Sequence, residues 1–289
     1  MANLQRLPIN SMKTRLRLAL LYFGLCIVPA AHAAQLVMVI DDVGNNYAQG
    51  HAMSSLEGPL TLAFLPHTPH AKNLAEEAYK NGKEVILHAP MENSVDFPLG
   101  PGALTQDLSK AEFQQTLTQA ITATPHIQGV NNHMGSALTQ NTQAMAWVME
   151  VLKKQQLYFI DSLTSAKSVA YQQALHYQLP ALRRQVFLDN DKSEAGLTRQ
   201  WNKALNIAKA KGSVVLIGHP YDESHAFLAQ QLPKLAAEGV ELIPASQLFL
   251  QNAWQEFEVT DIKKPGMETM PGIYTIRGAL IQRLRSARA

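Results

Sequence analysis

After residue 34, the chain alternates regularly between short apolar runs and longer amphipathic segments. The run 36–40 contains no polar side chain, which is typical of a strand buried on both faces of a sheet. The longer segments carry helix signals, such as the capping-box spacing of Ser109 and Glu112. Repeated strand–helix alternation predicts a parallel sheet, either closed into a barrel or open and doubly wound. The predicted strands are 36–40, 61–65, 84–87, 127–130, 157–160, 186–188, 214–217 and 240–243, and the predicted helices are 71–80, 109–122, 141–155, 196–210 and 224–237.

A carboxylate or a histidine follows each of the first seven predicted strands. The carboxyl ends of parallel strands meet on one face of a sheet, where both of these architectures place their active sites. The sequence therefore predicts an active site assembled from these strand ends. In chain order the residues are Asp41, Asp42, His67, His88, His133, Asp161, Asp189 and His219.

The chemistry of these residue types favours a divalent metal. Two adjacent carboxylates at the end of a buried strand are costly unless a positive charge neutralises them. A metal ion would stabilise Asp42 and leave Asp41 free to act as a base, while His88 and His133 supply the imidazoles that Zn²⁺ prefers. Three protein ligands that leave one position open are typical of hydrolytic zinc sites. His219 would then face this site as a general acid.

The N-terminal 33 residues have the three parts of a secretory signal peptide. Basic residues at Lys13, Arg15 and Arg17 precede an uncharged run over 18–31, and a small-x-small cleavage site ends at Ala33. The run is about 14 residues long, short of the roughly 20 that span a bilayer. We expect an exported, soluble, periplasmic chain without a membrane span. The single cysteine lies in this leader, so the mature chain offers no thiol.

Charge and composition after the leader exclude some partners. The whole chain has 25 basic and 23 acidic residues, but four of the basic ones precede residue 34, so the remainder carries a net charge of −2. This balance gives no electrostatic support for a nucleic-acid partner. No glycine-rich phosphate-binding turn follows any predicted strand. We expect one domain over 34–250 and an extended, partly disordered C-terminal tail over 251–289, which is rich in Lys, Arg, Pro and Gly.

Four motifs, in this order, resemble those of the divergent polysaccharide deacetylase family. They are Ile-Asp-Asp-Val-Gly at 40–44, Leu-His-Ala-Pro-Met-Glu at 87–92, Asn-Asn-His-Met-Gly-Ser at 131–136 and Ile-Gly-His-Pro at 217–220. The first is similar to the Thr-Phe-Asp-Asp-Gly motif of carbohydrate esterase-type deacetylases. The resemblance covers roughly 36–250 and implies a single α/β domain, a distorted TIM-type barrel with seven or eight β/α units.

The resemblance also implies roles for individual residues. Asp41 matches the catalytic base and Asp42 a metal ligand, with Zn²⁺ as the expected metal. His88 matches the first histidine of the family's His-[Ser/Thr]-x-x-His motif, whose second histidine is Glu92 here. Either Glu92 is a ligand or His133 replaces the missing imidazole, and we favour His133.

The last motif implies that His219 is the general acid. The Arg-Pro-Pro-Tyr-type third motif is absent, and Asn-Asn-His-Met-Gly at 131–135 takes its place, so the arginine that orients the base is missing. Asp161 or Asp189, at nearby strand ends, is a candidate carboxylate partner of His219 and could supply part of the missing orientation.

Three functions remain open at this stage. The first is a metal-dependent hydrolase that cleaves the amide bond of acetyl groups on an N-acetylated envelope polysaccharide. Asp41 would activate water and His219 would protonate the leaving amine. The second is a non-catalytic periplasmic protein that keeps the fold to bind glycan or an envelope protein partner. The third is a metal-free glycoside hydrolase that uses two carboxylates such as Asp41 and Asp189.

The leader generates the first testable prediction. When the full-length chain is expressed with its own N-terminus, the mature protein should begin at Ala34 and be recovered in the periplasmic fraction. N-terminal sequencing of that fraction measures this directly. Recovery of Met1 or Met12 on most of the protein would contradict the prediction.

Overall fold

A computed structural model describes residues 33–249 of the chain, so the predicted leader and the predicted tail lie outside the described residues. The strands are β1 (Ala34–Val43), β2 (Thr61–Phe64), β3 (Glu84–Met91), β4 (Ile127–Met134), β5 (Tyr158–Asp161), β6 (Ala181–Arg183), β7 (Val186–Phe187), β8 (Ser213–Gly218) and β9 (Val240–Leu242). The helices are α1 (Tyr47–Ser55), α2 (Ala71–Lys80), α3 (Lys110–Ala123), α4 (Thr142–Gln155), α5 (Ala170–His176), α6 (Glu194–Lys211) and α7 (Asp222–Gln231). Short 3₁₀ turns occupy Leu138–Gln140 and Leu232–Lys234.

The strands form one parallel sheet in the order β6-β5-β4-β3-β2-β1-β8-β7, and β9 pairs with the first three residues of β1. Strands β6 and β7 stand at opposite ends of this order, although only Arg184 and Gln185 separate them in the chain. The N–H of Arg184 donates to the carbonyl of Asp161 in β5 (3.0 Å), and the N–H of Gln185 donates to that of Val215 in β8 (3.0 Å). This two-residue connection, which we call the seam, joins both edges of the curled sheet. The predicted fold class, a distorted TIM-type barrel, is confirmed.

The central strand β1 shows why the sequence contains uninterrupted apolar runs. Successive side chains of a strand point to opposite faces. Leu36, Met38 and Ile40 pack in the cluster between the sheet and the outer helices, whereas Val37 and Val39 pack inside the curl of the sheet. All five are fully buried, because both faces of β1 are covered.

The structure corrects the predicted elements in several places. Strands β3 and β4 each continue four residues beyond their predicted ends, and α7 ends at Gln231, before a 3₁₀ turn that contains Pro233. Helices α1 and α5 and strand β6 were not predicted. Helix α1 contains Gly50, a poor helix former, but a Cβ at this position would lie 2.5 Å from Leu74 in α2. Gly50 leaves room for the side chain of Leu74, so α1 packs on α2 through a residue that gives no helix signal in the sequence.

The amino-terminal ends of the strands hold both ends of the described chain. Ala34 begins β1. The buried carboxylate of Glu84, the first residue of β3, accepts hydrogen bonds from Thr61 Oγ1 (2.8 Å) and from the backbone N–H of Ser246 (3.1 Å). Burial raises the pKa of Glu84 above its ordinary value. Among residues 33–249, no helix is long and apolar enough to cross a bilayer.

Candidate metal centre and active site

An irregularity at the end of β1 brings two adjacent carboxylates to one place. Ile40 pairs with Leu62 and Val43 pairs with Phe64, so the ladder shifts register over the two residues between them. Asp42 has a φ of 59°, the left-handed conformation that Asp adopts more readily than most residues. As a result, both carboxylates reach His88: its Nε2 lies 3.7 Å from Asp41 Oδ2 and 3.2 Å from Asp42 Oδ1.

Three side chains from three strands converge at this point. His133 Nδ1 lies 2.8 Å from Asp42 Oδ1 and 3.2 Å from His88 Nε2. Among the described residues, Asp42, His88 and His133 form the group of ligand atoms close enough to hold a metal ion.

The spacing and chemistry of this group fit zinc. Ligand atoms around a tetrahedral zinc ion at about 2.0–2.1 Å stand roughly 3.3–3.4 Å apart, close to the 2.8–3.2 Å separations here. Asp42 Oδ1 is buried, and its contacts with the two histidines lack hydrogen-bond geometry, so it has no hydrogen-bond partner. A buried carboxylate oxygen facing two imidazoles is what a bound cation would satisfy.

Asn131 links the metal group to the proposed base. Its Oδ1 lies 2.7 Å from His88 Nδ1, and its Nδ2 donates to Asp41 Oδ1 at 2.7 Å. A hydrogen bond from His88 Nδ1 to the amide oxygen leaves Nε2 free to face the cluster. The sequence reasoning assigned Asn131 no role. The sequence does contain one indication of its position. Asn131 precedes His133 by two residues on one strand, so the two side chains share a face of the sheet.

The two carboxylates differ in their protonation behaviour. Burial raises the pKa of Asp41, although the charges of His88 and His219 oppose this shift. The pKa of Asp42 is lowered, because its contacts with His133 and His88 outweigh the effect of its burial. Asp42 is thus the stable anion of the pair, as a metal ligand must be. Asp41 is the better proton acceptor.

His219 is held by Asp189. Its Nδ1 lies 2.8 Å from Asp189 Oδ1, and its backbone N–H donates to Asp189 Oδ2 at 2.6 Å. Its Nε2 faces the cluster, 4.0 Å from Asp42 Oδ2. Burial alone would lower the pKa of His219, but the hydrogen bond and charge of Asp189, with the charges of Asp41 and Asp42, raise the pKa to about 9.

Two other predicted residues serve the surrounding loops. Asp161 is fully buried and accepts hydrogen bonds from the N–H of Leu163 (2.8 Å) and from Ser168 Oγ (3.0 Å), and it makes no hydrogen bond or ion pair with His219. Glu92 accepts from the backbone N–H of Gln106 (2.7 Å) and lies outside the metal group. The structure therefore brings Asp189 to His219 and His133 to the metal group, and it leaves Asp161 and Glu92 out. His67 is exposed and also lies outside the group.

The seam contributes an arginine that sequence reasoning missed. Arg184 donates from Nε to the carbonyl of Ser162 (2.6 Å) and from a terminal nitrogen to that of Leu163 (2.8 Å), and its guanidinium lies 3.8 Å from the centre of the Phe187 ring. Burial lowers its pKa, against the charges of Asp161 and Asp41. Arg184 thus places a positive charge within electrostatic reach of the proposed base. No motif marks it, because it reaches the site only through the seam.

A cleft opens beside the metal group. Its cavity has a volume of about 360 Å³, and its lining includes Asp42 and His133 on one side and residues 97–101 on the other. A small-molecule site usually occupies a concavity of this size class. The metal group therefore faces a space that can admit part of a substrate.

Comparison with known proteins gives consistent matches over this domain. A family model described as divergent polysaccharide deacetylase matches residues 38–249. The uncharacterized protein YibQ of Escherichia coli (strain K12) is 34% identical over 216 residues, covering 75% of this chain and 67% of YibQ. An uncharacterized protein of Haemophilus influenzae is 32% identical over 216 residues, covering 75% of this chain and 77% of that protein. The crystal structure of an uncharacterized protein from Agrobacterium tumefaciens C58 has the same fold, with a TM-score of 0.73 and 23% identity over 76% of this chain and 90% of that chain.

The metal group generates the second prediction. Replacing Asp42, His88 or His133 by Ala should lower zinc affinity at least roughly 100-fold. Replacing residues that only hydrogen-bond to metal ligands already lowers metal affinity about 10- to 100-fold, and a ligand itself should matter more. Metal analysis of the purified variants after equilibration with equimolar Zn²⁺ measures the loss, and circular dichroism verifies that each variant is folded.

Two matched variants serve as controls. Asp41→Asn and Glu92→Ala should both retain zinc, because neither side chain belongs to the metal group. If Glu92→Ala loses the metal, or if Asp42→Ala and His133→Ala keep it, the assignment of ligands is wrong.

Proposed function

Because this chain belongs to the divergent polysaccharide deacetylase family, we propose that it is a metal-dependent hydrolase that removes acetyl groups from an N-acetylated polysaccharide of the cell envelope. One observation carries this proposal: three ligand atoms converge beside a buried carboxylate and a histidine–aspartate pair. Asp41 and His219 both lie within 4.0 Å of a member of the metal group. The signal peptide predicted from the sequence supports a periplasmic location for the reaction, and this location is part of the proposal.

The residues present would hold Zn²⁺ through Asp42, His88 and His133. Bound there, the metal would polarise the acetyl carbonyl and acidify water. The site's own residues then have two proton-transfer tasks: one group must remove a proton from the attacking water, and another must protonate the amine that leaves.

Asp41 is suited to the first task. Its side chain is almost completely buried, and Asn131 fixes one of its oxygens by a hydrogen bond. Burial raises its pKa, so the carboxylate accepts a proton more readily than an exposed aspartate. Because Asn131 also contacts His88, the base keeps a fixed position relative to a metal ligand.

His219 is suited to the second task. With a pKa of about 9 it is protonated at neutral pH, and Asp189 fixes Nδ1 so that Nε2 faces the cluster. Ser224 Oγ also donates to Asp189 (2.8 Å), which keeps that carboxylate in place. The imidazolium can therefore give its Nε2 proton to the leaving amine.

The glycoside hydrolase interpretation receives little support from the same contacts. It requires two carboxylates that both reach a glycosidic bond. The side chain of Asp189 is fully inaccessible, and its oxygens contact His219 and Ser224. Asp189 therefore serves to orient His219. The alternative is a non-catalytic protein that binds glycan or an envelope protein, and a turnover measurement distinguishes it from the hydrolase.

The third prediction tests catalysis itself. The zinc-loaded protein should release acetate from an N-acetylated glycan, and His219→Ala should lower the turnover number by roughly 10²–10⁴, the range of a lost general acid. Asp41→Asn should abolish detectable turnover while zinc content stays at the wild-type level. Acetate release is measured directly, and zinc is quantified in the same samples. If the zinc-loaded wild type turns over no N-acetylated glycan, the binding-protein alternative replaces this proposal.

The fourth prediction concerns pH. The acid form of His219 is required, and its pKa is raised, so activity should persist through neutral pH and fall as the pH rises through this pKa. Asp189→Asn removes the negative charge that raises the pKa of His219. The alkaline limb of the plot of kcat against pH should therefore move to lower pH.

Asp161→Asn is the matched control. Asp161 is another fully buried aspartate at a strand end, but it makes no hydrogen bond or ion pair with His219, so the alkaline limb should stay in place. An equal displacement in both variants would show that the limb does not report the His219–Asp189 pair.

A further inference from the structure

The loop between β3 and α3 separates two hollows on the surface. One is the cavity of about 360 Å³ that contains the metal group. The other has a volume of about 840 Å³ and is lined by apolar residues of the loop together with polar side chains that include Glu92, Asn93, Thr105 and Gln106. Residues 97–100 line both hollows. A molecule that extends beyond the metal cavity on this side therefore meets these residues first.

The turn that carries Phe97 is held rigidly. Asn93 Oδ1 accepts from the N–H groups of Val95 and Phe97 (3.0 Å each), and Asn93 Nδ2 donates to the carbonyl of Phe97 (2.8 Å). The N–H of Ser94 donates to Ser136 Oγ (2.9 Å), which ties the turn to the segment after β4. Both backbone polar groups of Phe97 are thus fixed by one side chain.

This rigid turn exposes an aromatic ring. Phe97 is 62% exposed, while most large apolar side chains of the described chain are buried. Phe97 lines the metal cavity as well as the larger hollow, so its exposed ring lies where a bound molecule would pass from one to the other. The larger hollow also contains carboxylates, amides and a hydroxyl, beside the apolar Pro98 and Leu99, and these polar groups can bond to hydroxyl groups of a ligand. An aromatic face beside such groups suits a sugar ring, which has an apolar C–H face and a polar rim.

We infer that Phe97 is the stacking surface for a second sugar residue. This sugar is next to the one whose acetyl group faces the metal group. This inference rests on the proposed function and deepens it, because it names the residue that binds the polysaccharide beyond the reacting sugar. The polymer runs from the metal cavity across Phe97 into the larger hollow. Phe97 acts here as a specificity-determining residue and takes no part in proton transfer.

The test is a binding measurement that requires no turnover. Zinc-loaded Asp41→Asn protein is titrated by calorimetry with N-acetylglucosamine and with its β-1,4-linked tetramer. The tetramer should bind more tightly than the monomer. Adding Phe97→Ala should weaken tetramer binding by roughly three- to tenfold, the range of one aromatic contact, and leave monomer binding unchanged.

Two matched variants on the same turn sharpen the result. Val95→Ala removes the other exposed apolar side chain, which is 77% exposed and outside both hollows, and should leave tetramer binding unchanged. Phe97→Trp keeps an aromatic face and should therefore preserve tetramer binding. Because Phe97 is exposed, none of these changes should alter the melting temperature.

The possible failures are distinguishable. Equal tetramer affinity with and without Phe97, or an equal loss for monomer and tetramer, overturns the inference, as does a wild type that binds neither sugar. Acetate release by wild type decides the proposed function separately. Turnover without a Phe97 effect refutes only the stacking surface, and Phe97-dependent binding without turnover refutes only the deacetylase.

Discussion

The site depends on accommodating two adjacent carboxylates in a largely buried place. A break in the β1 ladder turns Asp41 and Asp42 toward the same group, and a buried charge is costly unless partners compensate it. His88, His133 and His219 supply these partners from three other strand ends, and Asn131 supplies a neutral hydrogen bond. These compensating groups come from several strands of the barrel, so the curl of the sheet is what makes the paired acids tolerable.

The sequence predicted the central strands, though not their exact ends, because a strand buried on both faces has a simple signature. The apolar run before Asp41 and the one before His219 both correspond to neighbouring central strands of the sheet. The sequence does not predict elements that depend on a tertiary contact. Helix α1 contains a glycine that only its packing on α2 explains. Asn131 and Arg184 were missed because their importance lies in partners that stand far away in the chain.

The seam shows how a charge can reach a site without a motif. The chain passes from β6 to β7 through two residues and carries the guanidinium of Arg184 along the inner edge of the barrel. Arg184 is fixed by two backbone carbonyls and by the face of the aromatic ring of Phe187. Burial lowers the pKa of Arg184, and the negative charges of Asp161 and Asp41 oppose this shift. The closure of the barrel brings Arg184 to the loop after β5, and the order of residues in the sequence does not reveal this position.

Both ends of the described chain lie at the amino-terminal ends of the strands, while the metal group lies at their carboxyl ends. Glu84 fixes one of these ends through the N–H of Ser246. An attachment made through either end would leave the cleft facing away from the point of attachment. The cleft therefore opens on the side of the domain opposite to both ends of the described chain.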